Sequence, residues 1–171
     1  MGLKKDKQYS EEHYPQVIDL LYSLFKDKVV QKIEIASDFD DKLNNTDIFI
    51  YLGPNNIPIR IGVRIRSESS QPYLNQISIR AITKENNTNT EYKKIVEEHK
   101  GDYMLYAISN KYNQICSYVL LDVRLLREFL LCSYDAPKKH NIEWNSDGSG
   151  YYSISTNSLI AYDTRIFVSS N

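Results

Sequence analysis

Residues 46–66 read TDIFIYLGPNNIPIRIGVRIR, in which two runs of β-branched and aromatic residues flank the turn-forming tetrapeptide GPNN at 53–56. This pattern predicts a β-hairpin, because Val, Ile, Tyr and Phe favour strands whereas Gly, Pro and Asn favour turns. Side chains alternate between the two faces of a strand. The second strand therefore has Ile and Val on one face and these residues on the other: Arg60, Gly62, Arg64 and Arg66. Asp47 opens the first strand and is expected on the arginine face.

An arginine-rich sheet face indicates an anionic partner, with phosphate the first choice, because guanidinium groups bind phosphate oxygens in a bidentate manner. The alternative is an ordinary solvated face, which strands often present. The strand predicted over Gln76–Ile82 leaves one more arginine on a polar face. The predicted nucleic-acid contacts are Arg60, Arg64, Arg66 and Arg80.

The composition is that of a folded protein of one domain. The chain has 171 residues, is 42% hydrophobic and 25% charged, and carries a net charge of −1. A near-neutral charge argues against a protein that coats nucleic acid through bulk positive charge, so any anion site must be local. No run approaches the roughly 20 apolar residues of a membrane helix, and we expect a cytoplasmic protein without membrane contact. Cys116 and Cys132 lack the spacing of a metal site and are predicted to be buried thiols.

Helices and strands alternate along the predicted chain, which is therefore α/β. Ser10 is predicted to cap a first helix, and the acidic run at 37–41 is predicted to be a solvated loop. The predicted elements are helix 11–26, strand 29–36, the hairpin, strand Gln76–Ile82, a helix from a Thr88–Glu91 capping box to Gly101, strands 103–108 and 115–121, helix 122–131, and a mixed tail. Residues 1–171 are expected to form one domain, with a mixed central sheet flanked by helices and a mobile loop at 137–150.

This order, with Asp47 opening the second strand and a charged third strand, resembles the PD-(D/E)XK nuclease fold, which includes Holliday-junction resolvases and many restriction-type enzymes. The resemblance covers about 11–109 and implies a restriction-endonuclease-like αβββαβ core, followed by an α/β extension over 110–171. The family has a metal-binding Asp on the second strand, and an acid, any residue and then Lys on the third. Here Thr46 replaces the Pro before Asp47, and the third-strand motif falls on Gly62-Val63-Arg64.

The two replacements in the third strand change the chemistry that the resemblance implies. Family members use the acids to hold Mg²⁺, for which Mn²⁺ substitutes, and the lysine to position or deprotonate water. Gly62 has no carboxylate, and Arg64 stays protonated and cannot be a general base. Acids from elsewhere in the chain offer a migrated metal site: Asp47, Glu91 and Glu34. In that arrangement Lys94 or Arg64 contacts the phosphate, although Glu91 is also explained as the capping-box partner of Thr88.

Two functions from different classes follow. The first is a small metal-dependent DNA endonuclease, of phage or mobile-element type, with this catalytic set: Asp47, Glu91, Arg64 and Lys94. The second is a nuclease-like domain without metal or catalysis that binds nucleic acid or an acidic protein through its arginines. A structural or regulatory interaction protein is a third hypothesis. DNA is the expected partner, and the resolvase resemblance implies a homodimer.

Overall fold

The computed structural model describes residues 8–70, 75–83, 90–133, 142–163 and 167–169. The helices are α1 (Tyr14–Leu24), α2 (Asp38–Asn44), α3 (Glu91–Val96), α4 (Val123–Ser133) and α5 (Thr156–Tyr162), and a 3₁₀ turn covers Glu68–Ser70. The strands are β1 (Val30–Ile35), β2 (Ile48–Leu52), β3 (Ile57–Ser67), β4 (Gln76–Ile82), β5 (Tyr103–Ser109), β6 (Ile115–Asp122), β7 (Ile142–Trp144), β8 (Gly150–Ser155) and β9 (Phe167–Ser169).

The strands form two sheets. The central sheet has the order β1-β2-β3-β5-β6-β9, and the second sheet has the order β4-β8-β7. All neighbours are antiparallel except β3 and β5, which are parallel. A parallel pair requires a crossover connection, and the chain makes it through β4 and α3. The prediction of an α/β fold with a mixed central sheet flanked by helices is confirmed; its assignment to a nuclease family stays a prediction.

The predicted hairpin is present as β2 and β3. The two strands are antiparallel, with Ile48 opposite Ile61 and Leu52 opposite Ile57, and residues 53–56 form the turn. One face of the hairpin is apolar, and Ile48, Ile50 and Ile61 are fully buried there in the cluster that contains Val17 and Leu21 of α1. The alternation in the sequence therefore fixes which face of the hairpin α1 covers.

The opposite face of the central sheet is also covered. Gly62 and Arg64 of β3 lie beside Met104 and Tyr106 of β5. Those two β5 residues belong to a second apolar cluster, which joins the central sheet to β4, β8 and helices α3, α4 and α5. The sequence does not predict the second sheet as a separate layer. This sheet lies over the hairpin face that was predicted to contact solvent or an anionic partner. The arginine face is therefore partly enclosed.

Several predicted boundaries are wrong. Helix α1 begins at Tyr14 after the N-cap residue His13, not at Ser10, and residues 8–12 are a preceding helical segment. The predicted acidic loop is helix α2, because Ser37 caps it by accepting the Asp40 N–H at 3.2 Å and acidic residues favour a helix N-terminus.

The boundaries of α3 also differ from the prediction. The N-cap is Thr90, whose Oγ1 accepts the Lys93 N–H at 3.2 Å, whereas Thr88 lies outside the described residues. The helix ends at Val96, well before Gly101. Glu91 is therefore the first helical residue and not the third, so the capping-box explanation of its carboxylate is wrong.

Two further expectations fail. Residues 142–150 do not form an open loop: β7 and β8 are a hairpin closed by the 3.0 Å bond from the Gly148 N–H to the Asn145 carbonyl; 137–141 lie outside the described residues. A short polar hairpin gives little hydrophobic alternation, which explains the error. Both thiols, at Cys116 and Cys132, are exposed and not buried.

Candidate functional site

Asp47 is anchored at the start of β2 by both its backbone and its side chain. Its N–H donates to the Ile61 carbonyl at 2.9 Å, which extends the β2–β3 ladder by one residue. Its Oδ2 accepts the Val63 N–H at 2.7 Å, and its Oδ1 accepts the Tyr14 hydroxyl at 3.4 Å. The carboxylate therefore lies against the middle of β3, next to Gly62.

The surroundings of Asp47 are unfavourable for its charged form. Burial raises the pKa of the Asp47 carboxyl group to about 6, and the neighbouring Asp41 adds to the increase. The Val63 N–H, the Tyr14 hydroxyl and the more distant Arg64 oppose this shift by favouring the carboxylate. The charged form of Asp47 is therefore disfavoured, because the groups that stabilise it do not fully compensate for its burial.

Glu91 faces β3 and β4 from the first turn of α3. Its Oε2 accepts the backbone N–H of Arg80 at 3.1 Å and lies 3.4 Å from a terminal nitrogen of Arg64. The Glu91 side chain is only 10% exposed. The carboxylate thus links α3 to both sheets, and it lies close to Arg64 of β3.

Lys94 is the buried cation of this site. It follows Glu91 by three residues on α3, is 9% exposed, and donates from Nζ to the Asp41 carbonyl at 3.2 Å. Burial lowers the pKa of the Lys94 amine, whereas Asp41, Glu91 and Asp47 oppose that change in this order. Glu98 has a smaller effect of the same sign, so four carboxylates act on one amine. We call the amine and the three strongest carboxylates the Asp47 cluster: Asp41, Asp47, Glu91 and Lys94.

Three of the four arginines predicted to bind nucleic acid are held by acceptors of the protein itself. Arg64 donates to the Ser78 carbonyl at 3.1 Å and lies 5.8 Å from the centre of the Tyr106 ring, and Arg66 donates to the Ser78 hydroxyl. Arg60 forms a bidentate pair with Asp102, at 3.1 Å from Nε and 2.9 Å from NH2. Arg64 and Arg66 therefore join the central sheet to β4, whereas Arg60 joins β3 to the residue before β5. All three are engaged within the protein, which differs from the open arginine surface predicted from the sequence.

The absence of an acid at position 62 has a steric reason. A Cβ atom on Gly62 would lie 3.1 Å from the backbone oxygen of Asn45, closer than most side chains tolerate. Asn45 ends α2 in the left-handed conformation, at φ 54°, and its Nδ2 is buried without a partner in the described residues. The turn after α2 therefore occupies the space that a side chain on this part of β3 would need.

Glu34 does not join the Asp47 cluster. It lies opposite Phe49 on the neighbouring strand, its side chain is 47% exposed, and its Oε1 pairs with Lys32 Nζ at 2.8 Å. Within the described ranges, no group of three or more His, Cys, Asp or Glu side chains is placed to hold a metal ion. The predicted three-acid site of Asp47, Glu91 and Glu34 is therefore not assembled.

Sequence reasoning missed three residues of this site. Tyr14 was treated as part of the apolar face of α1, yet its hydroxyl reaches Asp47. Asp41 was assigned to a solvated loop, and Asn45 was not singled out. The position of Asp41 in the first turn of a helix capped by Ser37 is a signal that the sequence carries; nothing in the local pattern indicates the contacts of Tyr14 and Asn45.

Comparison of the chain with protein-family models and with curated proteins gave no match. Among the described residues, no helix combines the length and the apolar character needed to cross a membrane.

Proposed function

We propose that this protein is a divergent Mg²⁺-dependent DNA endonuclease that cleaves phosphodiester bonds at the Asp47 cluster. The observation that supports this proposal is that Asp47 and Glu91 both act electrostatically on the buried amine of Lys94. Both carboxylates also contact β3, Asp47 through the Val63 N–H and Glu91 through Arg64. Two carboxylates and a lysine are the groups that the resemblance to PD-(D/E)XK nucleases implies. Here the second acid and the lysine come from α3 and not from the third strand.

The residues present fit a magnesium ion. Mg²⁺ keeps several waters and is usually bound through one or two carboxylates together with substrate phosphates, so Asp47 and Glu91 suffice as protein ligands. A carboxylate has about four lone-pair positions, and Asp47 uses two of them in hydrogen bonds. The raised pKa of Asp47 is consistent with a site that is completed by a cation. When bound, the ion would polarise the phosphodiester and lower the pKa of a coordinated water.

The side chains of the chain itself have separate roles in this proposal. Tyr14 and the Val63 N–H orient the Asp47 carboxylate. Lys94 is the group that holds the attacking water or accepts its proton, because burial lowers the pKa of its amine and so makes loss of its own proton easier. Arg64, one third exposed and always protonated, binds a phosphate oxygen in exchange for part of its contact with Glu91.

One observation favours the second function, a nuclease-like domain that binds nucleic acid or an acidic protein without metal. Arg64 neutralises part of the charge of Glu91 at 3.4 Å, and a carboxylate committed to an arginine is a poor metal ligand. In that case the exposed third of the Arg64 side chain contacts the partner, and binding falls as salt rises because counterions are released.

Cleavage assays on supercoiled, linear and branched DNA test the proposal, with Mg²⁺ or Mn²⁺ and with EDTA. We expect metal-dependent cleavage that falls about 100-fold or more in Asp47→Asn and Glu91→Gln, in keeping with the loss of a catalytic group. Glu128→Gln is the matched control, because it removes the charge of a partly exposed acid on α4, outside the cluster and outside β1, and it should stay within about twofold of the wild type.

Mobility shifts in EDTA on the same samples separate the two functions. A shift without cleavage in any metal would overturn the endonuclease and support the binding domain. Cleavage that survives both Asp47→Asn and Glu91→Gln would show that the cluster is not the catalytic centre. If neither cleavage nor a shift is seen, both functions are wrong, and the chain is better explained by a role in protein interaction.

A further inference from the structure

Strand β1 has a free edge. It is the first strand of the central sheet and, within the described residues, is hydrogen-bonded only to β2. The Ala36 N–H donates to the Asp47 carbonyl at 2.8 Å, on the β2 side. Because hydrogen-bonding groups alternate in direction along an antiparallel strand, the N–H and C=O groups of Ile35 and Ile33 point away from β2. These groups are available to another strand.

The side chains along this edge are both apolar and charged. Ile35 is 58% exposed, although it lies in a regular strand. Lys32 and Glu34 form an ion pair along the strand, and their side chains are 51% and 47% exposed. An unpaired edge that carries exposed apolar residues is a template for pairing with another chain. The charges then determine which chain fits.

We infer that β1 pairs antiparallel with β1 of a second copy of this chain, about a two-fold axis at Ile33. In this register Lys32 of each copy lies opposite Glu34 of the other, and the two Ile33 residues face each other. The outward groups of Ile33 then exchange two backbone hydrogen bonds. A two-fold interface repeats each contact, so both cross-strand ion pairs form at once.

The charges select this register over its neighbours. Backbone directions allow only pairings in which outward-pointing residues face one another, so the axis moves by whole residues along β1. An axis at Lys32 would place two lysines opposite each other, and an axis at Glu34 would place two glutamates opposite each other. Like charges directly opposite on paired strands are destabilising. Only the axis at Ile33 turns both charged positions into attractive pairs.

The surface is small, which sets the strength of the association. β1 has six residues, and a register shift between Val30 and Lys32 interrupts its regular part. Such a strand buries less than the roughly 800 Å² per partner of a standard stable interface. We therefore expect a reversible dimer whose population rises with protein concentration.

The pairing would also set the geometry of the proposed cleavage sites, and this consequence alone rests on the proposed function. A two-fold axis perpendicular to the joined sheet leaves both Asp47 clusters on the same face. With about 3.3 Å per residue and about 4.8 Å between strands, the two Asp47 backbones lie roughly 20–25 Å apart. Two clusters on one face are suited to cutting the two strands of one duplex.

Sedimentation velocity over a range of protein concentrations tests the pairing, with charge reversals in β1 as the variants. The wild type should form dimers as concentration rises. Lys32→Glu and Glu34→Lys should each weaken association about tenfold, because each turns both attractive pairs into repulsive ones. An equimolar mixture of these two variants, and the double variant Lys32→Glu/Glu34→Lys, should associate like the wild type, since their opposing charges are again complementary.

Lys111→Glu is the matched control, because it makes the same charge change at an exposed residue in the turn between β5 and β6. It should dimerise like the wild type, and thermal melts should show that every variant is folded. A wild type that stays monomeric at the highest concentration overturns the inference. So does association that ignores the single reversals, or a mixture that fails to associate. None of these results depends on DNA cleavage, so the dimer is tested independently of the proposed endonuclease activity.

Discussion

Two stretches of β3, four residues apart, hold an arginine in different ways. Arg60 meets Asp102 in a bidentate pair, and the same carboxylate also accepts the Arg60 N–H at 2.8 Å. Arg64 lies beside the Asp47 cluster. One of its terminal nitrogens lies 3.4 Å from the Glu91 carboxylate, and the other donates a hydrogen bond to the Ser78 carbonyl. The first arrangement is a balanced pair of one cation and one anion, whereas the second has three carboxylates around two cations.

The difference separates a structural ion pair from a candidate functional site. Charges that are about one third exposed and paired with each other, such as Arg60 and Asp102, hold neighbouring segments together and require no further partner. At the other position burial raises the pKa of Asp47 and lowers that of Lys94. Opposite shifts of neighbouring acids and bases are typical of catalytic sites, where ionisation is adjusted at a cost in stability.

The largest effect that distinguishes the two positions is expected from Lys94→Met. Removal of the buried amine should reduce metal-dependent DNA cleavage about 100-fold or more, since the proposed proton acceptor is lost. The control is Lys93→Met, which removes the neighbouring, more exposed lysine that pairs with Glu98 at 3.7 Å. Initial cleavage rates at saturating DNA compare the two variants. Equal cleavage rates for Lys94→Met and the wild type would show that the Lys94 amine has no role in cleavage.

The next effect is on the free energy of unfolding at pH 8. Replacing the carboxylate by an amide should raise this free energy at Asp47 and lower it at Asp102. The Asp47 carboxyl has a higher pKa in the folded protein, about 6, than its ordinary 3.8. The folded state therefore binds the proton more tightly, and the free energy of unfolding falls as pH rises from about 4 to about 6 and stays lower above it. Asp47→Asn keeps the shape and removes this loss, so it should stabilise the protein at pH 8 by at most about 3 kcal/mol.

Denaturant melts of Asp47→Asn and Asp102→Asn at pH 4.5 and pH 8 measure this difference. The gain from Asp47→Asn should shrink towards zero at the lower pH, where Asp47 of the wild type is protonated. Asp102→Asn should instead lose about 1 kcal/mol at pH 8, because it breaks an ion pair whose side chains are about one third exposed. If Asp47→Asn destabilises the protein at pH 8 as Asp102→Asn does, Asp47 is a structural residue and the contrast fails.

The hairpin and the element order could be predicted from sequence, because period-two alternation and turn residues are local signals. The arrangement of the site could not. Arg64 contacts the backbone of β4 and Glu91 of α3, and β4 pairs with β8, more than 60 residues later in the chain. No local pattern tells a polar face that meets water from one that meets a second sheet. The sequence thus singles out Asp47, Glu91 and Lys94 as candidates by residue type, whereas only the tertiary structure shows that Glu34 pairs with Lys32 on an exposed edge.

The last effect concerns Gly62, and it asks whether β3 can accept an acidic side chain at this position. Gly62→Ala should destabilise the protein by roughly 1–2 kcal/mol, because the added Cβ comes within 3.1 Å of the Asn45 backbone oxygen. Gly62→Glu should add no cleavage activity, although it rebuilds the family motif, since the turn after α2 already fills that space.

Thermal melts and cleavage assays on both Gly62 variants test this, with Ser67→Ala as a control further along β3. A stable Gly62→Glu with faster metal-dependent cleavage would mean that the turn gives way and that the third strand can still hold its acid. A destabilised and no more active variant would mean that the packing of Asn45 against β3 excludes an acid there. In that case any metal chemistry in this protein must use the acid of α3.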